Sequence, residues 1–202
     1  MQILHLTGAP PYFTNCFLLI TAARHAVVID PAAPAAAIEA ALAEHDASLT
    51  HILLTHGHFD HVSSLNELRK KHGAALCMFE ADAQGNPRLP AAAPDHCLAD
   101  GETLQVDELA FRIYHTPGHT MGSCCILCGE YFFTGDTLFA QDIGRTDFAE
   151  SDPAAMLRSL KKLAALELPA DTRVLPGHEQ LSTFGAEKKR NPYLTREFLE
   201  RN

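Results

Sequence analysis

The chain has 202 residues, 47% of them hydrophobic, and 25 acidic side chains against 16 Lys and Arg give a formal net charge of −9. With no linker or low-complexity stretch dividing it, we expect one domain over 1–202 with a substantial core. The charge excludes a general basic field for a phosphate backbone, so nucleic acid is not an expected partner, and no apolar run approaches the length of a bilayer span.

Residues 1–11 show neither a basic leader nor a cleavage site, which leads us to expect a cytoplasmic protein with no membrane partner. Strand signals occupy 2–7, 16–20 and 26–29, and the alanine-rich stretch that follows carries helical periodicity over 34–45. A further strand at 51–55, built on Ile52, Leu53 and Leu54, runs directly into His56, Gly57, His58, Phe59, Asp60 and His61. In an extended segment alternate side chains share a face, so His56 and His58 can turn to one ion while Gly57 lets the backbone bend. Asp60 and His61 then leave toward a second position. Imidazole and carboxylate suit zinc, iron or manganese.

The spacing predicts a helix over 60–72, with Val62, Leu65 and Leu68 on one side and Arg69, Lys70 and Lys71 on the other, and with Asp60 able to cap it. Strands follow at 75–79, 109–114, 123–127, 131–134 and 173–175, with a loop at 91–93 and a helix at 153–166. Helices set between groups of strands favour two packed sheets with helices outside, a layered α/β arrangement. Cysteines stand at 16, 77, 97, 124, 125 and 128. They are expected as reduced thiols, with Cys124, Cys125 and Cys128 in core packing, because adjacent residues of a strand point to opposite faces.

Three more polar residues stand at strand exits behind glycines: His119 after Pro117 and Gly118, Asp136 after Gly135, and His178 after Pro176 and Gly177. A glycine-containing turn can present such a residue to a shared centre built on a rigid scaffold. Asp30 closes an apolar strand before Pro31, where turn chemistry makes it a turn former. Arg145 either engages an anionic substrate group or, the favoured reading, pairs with Asp142 or Asp147, and Lys188, Lys189 and Arg190 either attract a substrate carboxylate or, more ordinarily, form a solvated face of a terminal helix.

T-H-G-H-F-D-H at 55–61, T-P-G-H-T at 116–120, T-G-D-T at 134–137 and P-G-H-E at 176–179 resemble the metallo-β-lactamase superfamily. V-I-D-P at 28–31, G-R-T-D-F at 144–148, and L-S-T-F-G with N-P-Y-L at 181–194 are similar to the short glyoxalase II-like thioester hydrolases. The resemblance implies an αββα sandwich of two mixed β-sheets with helices on the outer faces. It implies that His56, His58 and His119 hold one metal ion, that Asp60, His61 and His178 hold the second, that Asp136 bridges the two, and that Asp30, if it is more than a turn former, orients a ligand without touching metal. Two divalent ions, zinc before iron or manganese, then activate a hydroxide against the carbonyl of a small acyl thioester such as S-lactoylglutathione, with Asp60 and Asp136 as catalytic carboxylates. The larger glyoxalase II enzymes carry an added helical glutathione-binding domain, and no counterpart of it is expected here.

The persulfide dioxygenases offer a second resemblance through a G-R-T-D-F-like loop. They would use one iron, held here by His56, His119 and Asp136. A binding-only protein and a β-lactamase are weaker readings on the same fold.

Overall fold

A computed structural model describes residues 1–83, 88–89 and 93–201, so the expected 91–93 loop falls within it only at Ala93. The first sheet takes its strands in chain order: β1 (Gln2–Thr7), β2 (Asn15–Ile20), β3 (His25–Ile29), β4 (Ser48–Leu53), β5 (Ala75–Met78) and β6 (His96–Cys97). The first three are antiparallel and the last four parallel. Parallel neighbours need crossovers, supplied by α1 (Ala35–Glu44) between β3 and β4 and by α2 (Leu65–His72) between β4 and β5.

The second sheet holds β7 (Thr103–Val106), β8 (Leu109–His115), β9 (Cys124–Cys128) and β10 (Tyr131–Gly135) as an antiparallel meander. A small ribbon, β11 (Leu138–Phe139) and β12 (Asp142–Ile143), precedes α3 (Pro153–Ala164). The helix returns the chain to β13 (Arg173–Pro176), parallel to β10, with β14 (Ser182–Thr183) at the edge. Two further helices, α4 (Phe184–Arg190) and α5 (Arg196–Arg201), close the described chain.

Strand periodicity sorts the side chains into layers. On β2, Phe17 and Leu19 enter the core between the sheets, while Cys16, Leu18 and Ile20 pack outward with Ile38 and Leu42 of α1 and Leu65 and Leu68 of α2. On β9, Cys124 and Ile126 face the inter-sheet core with Phe111 and Phe133, and Cys125 faces Met156 and Leu160 of α3. Helix, sheet, sheet and helix therefore stack in that order, as the resemblance implied. All six cysteines are free and five are buried. Burial pushes the Cys16 thiol up to about 12, a state suited to packing rather than ligation.

The expected helix over 60–72 begins only at Leu65, because 60–64 is a turn in which the His61 amide bonds the His58 carbonyl and the Leu65 amide that of Val62. Asp60 is therefore no cap; it accepts a hydrogen bond from Thr14 Oγ1 at 2.8 Å. The Lys188–Arg190 run lies on α4, the penultimate helix, and is exposed. Among the described residues no helix is long and apolar enough to cross a membrane.

Candidate metal centre

Four loops converge along one edge of the two sheets, following β4, β8, β10 and β13, and they carry the seven residues singled out in the sequence. A ring nitrogen of each of His56, His58 and His119 lies within 4.8 Å of the other two, and one ligating atom from each of Asp60, His61 and His178 forms a second such group. Asp136 stands between them. Its Oδ2 is 3.3 Å from His119 Nε2 and 3.5 Å from His178 Nε2, and its Oδ1 is 3.4 Å from His61 Nε2. A side chain at Gly177 would meet Asp136 Oδ1 at 2.3 Å and His61 Cε1 at 2.5 Å, so glycine there is what lets the last loop come this close.

Each of the five imidazoles spends its outer nitrogen on the surrounding protein. His58 Nε2 donates to Glu150 Oε1 (3.1 Å), His119 Nδ1 to the Arg145 carbonyl (2.8 Å) and His61 Nδ1 to Asp30 Oδ2 (3.0 Å). His178 Nδ1 faces the Tyr12 carbonyl at 3.3 Å and His56 Nδ1 faces Thr55 Oγ1 at 3.2 Å. The inner nitrogens are thereby turned to the centre, an arrangement that fixes ring orientation in metal sites. Asp30 sits in the left-handed region at φ 50°, and its carboxylate accepts from the Thr55 amide and hydroxyl and faces His61 Nδ1.

The inner atoms fit a cation. His58 Nδ1 and His119 Nε2 face one another across 2.9 Å, while the other nitrogen of each ring is already spent on Glu150 and on the Arg145 carbonyl. His56 Nε2 and Asp136 Oδ1 are buried with no hydrogen-bond partner. Leaving a buried polar atom unsatisfied costs about 1–3 kcal/mol, so two such atoms aimed at one centre mark a place for positive charge.

Electrostatics divide the cluster in the same way. Burial, reinforced by the charge of His61, holds His56 well below the usual imidazole range, and burial with His119 lowers His58; both favour the neutral, ligating form. Burial would raise Asp136, but the charges of His61 and His119 outweigh it and keep the carboxyl well below its ordinary value. His61 is raised well above its own, because the Asp136 and Asp30 carboxylates overcome burial. Burial also opposes ionisation of Asp60, yet the hydrogen bond with His178, the charge of His61 and the Thr14 hydroxyl bring it down to about 2.

The centre opens into a cavity of about 460 Å³, whose lining includes Tyr12, Phe59, Arg88, Arg145 and Phe148. Tyr12 and Phe59 stack edge to face at 5.2 Å and remain 51% and 42% exposed, which is unusual for rings this large. Arg145 pairs with Asp147 through two 2.7 Å bonds, as expected, and also lies over Phe148. The Lys188–Arg190 run does not line the cavity.

Residues 9–178 match the metallo-beta-lactamase superfamily. The chain belongs to that superfamily. Hydroxyacylglutathione hydrolase GloC of Haemophilus influenzae is 35% identical over 196 residues, spanning 89% of this chain and 92% of that protein. Among solved structures, BLEG-1 B3 metallo-beta-lactamase aligns with a TM-score of 0.84 at 31% identity, over 96% of this chain and all of its own. ETHE1 from Myxococcus xanthus has the same score and identity, over 99% of this chain and 89% of its own. The chain is thus an enzyme of a superfamily that binds divalent metals, and its two His/Asp groups fit a dinuclear site.

Several residues that shape this site escaped the sequence reading. Glu150 orients His58, Thr14 holds Asp60, and Asn15 Nδ2 ties the last loop by donating to the Pro176 and Glu179 carbonyls. They are 92, 46 and 161–164 residues from their partners, and no local spacing announces them.

Proposed function

We propose that this chain is a metal-dependent hydrolase of small acyl thioesters, with S-lactoylglutathione as the leading substrate. In this reading His56, His58 and His119 hold one divalent ion, Asp60, His61 and His178 the second, and Asp136 touches both, zinc being the expected metal. The observation that carries it is the pair of unsatisfied buried atoms, His56 Nε2 and Asp136 Oδ1, facing a centre where every outer imidazole nitrogen is already spent. When bound, two such ions supply a hydroxide at neutral pH and polarise a carbonyl.

The chain's own groups do the rest. Asp60 sets an anionic oxygen in the second triad and Asp136 one between the two triads, where they would orient the attacking water, and Thr14 fixes Asp60 for that task. The cavity has the size of a small-molecule site, and its apolar ring pair suits an acyl group while Arg88 and Arg145 suit an anionic carrier. A thioester needs little acid assistance because its thiolate leaves with a pKa of about 8.5, whereas an amide demands a proton donor. The likeness to a hydroxyacylglutathione hydrolase supports the thioester class, and a cytoplasmic setting belongs to the same proposal.

A second reading, a persulfide dioxygenase with one iron on His56, His119 and Asp136, is favoured by the 144–148 loop, and the chain aligns with ETHE1 as well as with BLEG-1. Elemental analysis should be paired, on one preparation, with a thioester panel, oxygen uptake on glutathione persulfide, and nitrocefin hydrolysis. We expect two ions per chain and thioester turnover. One iron with stoichiometric oxygen consumption, or nitrocefin as the preferred substrate, would reverse the assignment.

A further inference from the structure

Asp82 lies outside every motif discussed so far, yet it sits 1% exposed between the two loops that carry the first histidine trio. Its Oδ2 accepts from the Gly57 amide at 2.8 Å and from Thr120 Oγ1 at 2.7 Å, and its Oδ1 accepts from the Gly122 amide at 2.7 Å. Gly57 is the residue between His56 and His58, and Thr120 follows His119. One carboxylate therefore grips the backbone or side chain next to all three rings. The fit is close: a Cβ on Gly122 would lie 2.5 Å from Asp82 Cγ, so glycine at that position is what admits the carboxylate. Thr120 is itself held by Ser123, whose hydroxyl lies 2.8 Å from Thr120 Oγ1 and accepts from the Thr120 amide at 3.1 Å.

Three neutral donors converging on a carboxylate define a need for acceptors alone. An amide in its place would aim N–H at N–H or O–H whichever way it turned, since each oxygen already receives a donor. By contrast Asp60, His61 and His178 are held through Thr14, Asp30 and Asn15, none of which bonds Asp82.

We propose that Asp82 is a positioning residue for the ion held by His56, His58 and His119, setting the spacing of the two loops and leaving the second ion to other braces. The inference rests on reading that trio as an ion-holding group. Residues that orient ligands without touching the metal typically contribute 10–100-fold to metal affinity.

The test isolates each ion in the full-length chain. His178→Ala leaves the first trio intact, and His119→Ala leaves the second. Zinc affinity, measured by competition with a chromophoric chelator, should fall by about 10- to 100-fold when Asp82→Asn is added to the first background, and stay within a few-fold when it is added to the second. Thr120→Val should reproduce part of the loss in the first background and Thr120→Ser should restore it, a pair that also decides the matter if Asp82→Asn fails to fold. Equal weakening in both backgrounds, or none in the first, would overturn the proposal. Parent chains that bind no zinc would instead defeat the reading it rests on.

Discussion

Asp136 is the residue at which the two groups meet, and its two oxygens are divided between them: Oδ1 toward His61, Oδ2 toward His119 and His178. Its removal leaves five imidazoles and Asp60 with no shared anion and takes away the carboxylate to which the proposed mechanism gives the attacking water. Asp136→Ala should therefore lose the two-ion arrangement and lower kcat/KM by at least about 100-fold, with an unchanged far-ultraviolet circular dichroism spectrum, since the side chain supports no strand pairing. Retained turnover in a preparation shown by elemental analysis to hold neither ion would contradict the assignment. The seven positions were legible in the sequence because each is a metal-competent side chain in a glycine-containing loop at a strand exit. Asp82, Glu150 and Thr14 were not, because an ordinary carboxylate or hydroxyl shows its purpose only when its distant partner is known.

At the scale of elements, strands were easier to find than the ends of helices. The apolar runs of β2, β3 and β9 announce themselves, and their alternation correctly placed the cysteines in packing. By the same logic Cys124→Ala should cost about 1 kcal/mol in denaturant unfolding, as a moderate core truncation does, with full metal content; loss of metal from that variant while still folded would assign the thiol a role we deny it. The start of α2 was misplaced because Val62 continues the apolar side of the helix in sequence, whereas the backbone at 60–64 is bent into turns that let Asp60 and His61 face the centre. Function overrides helical periodicity there. Strands of two residues, such as β6, β11, β12 and β14, carry no periodicity to read and exist through their neighbours.

Over the whole molecule, the layered arrangement brings together ligands far apart in the chain. Each triad takes two members from the loop after β4 in the first sheet and one from a loop of the second, His119 in one case and His178 in the other. Ions that bind the folded state alone stabilise it by mass action, about 2.7 kcal/mol for one at a hundredfold excess over its Kd. Chelation should accordingly lower Tm by roughly 5–10 °C for a domain of this size, and returning the ion should restore it; an unchanged Tm after verified metal removal would show that the ions do not bind the folded chain in preference to the unfolded one, against the proposed centre.

Because both triads straddle the seam, an ion held by either would do more than equip the chemistry: it would rivet one half of the protein to the other. A cell short of that metal would then inherit a quality-control burden along with the missing activity, as looser chains bare Phe17, Phe111 and Phe133 to chaperones and proteases.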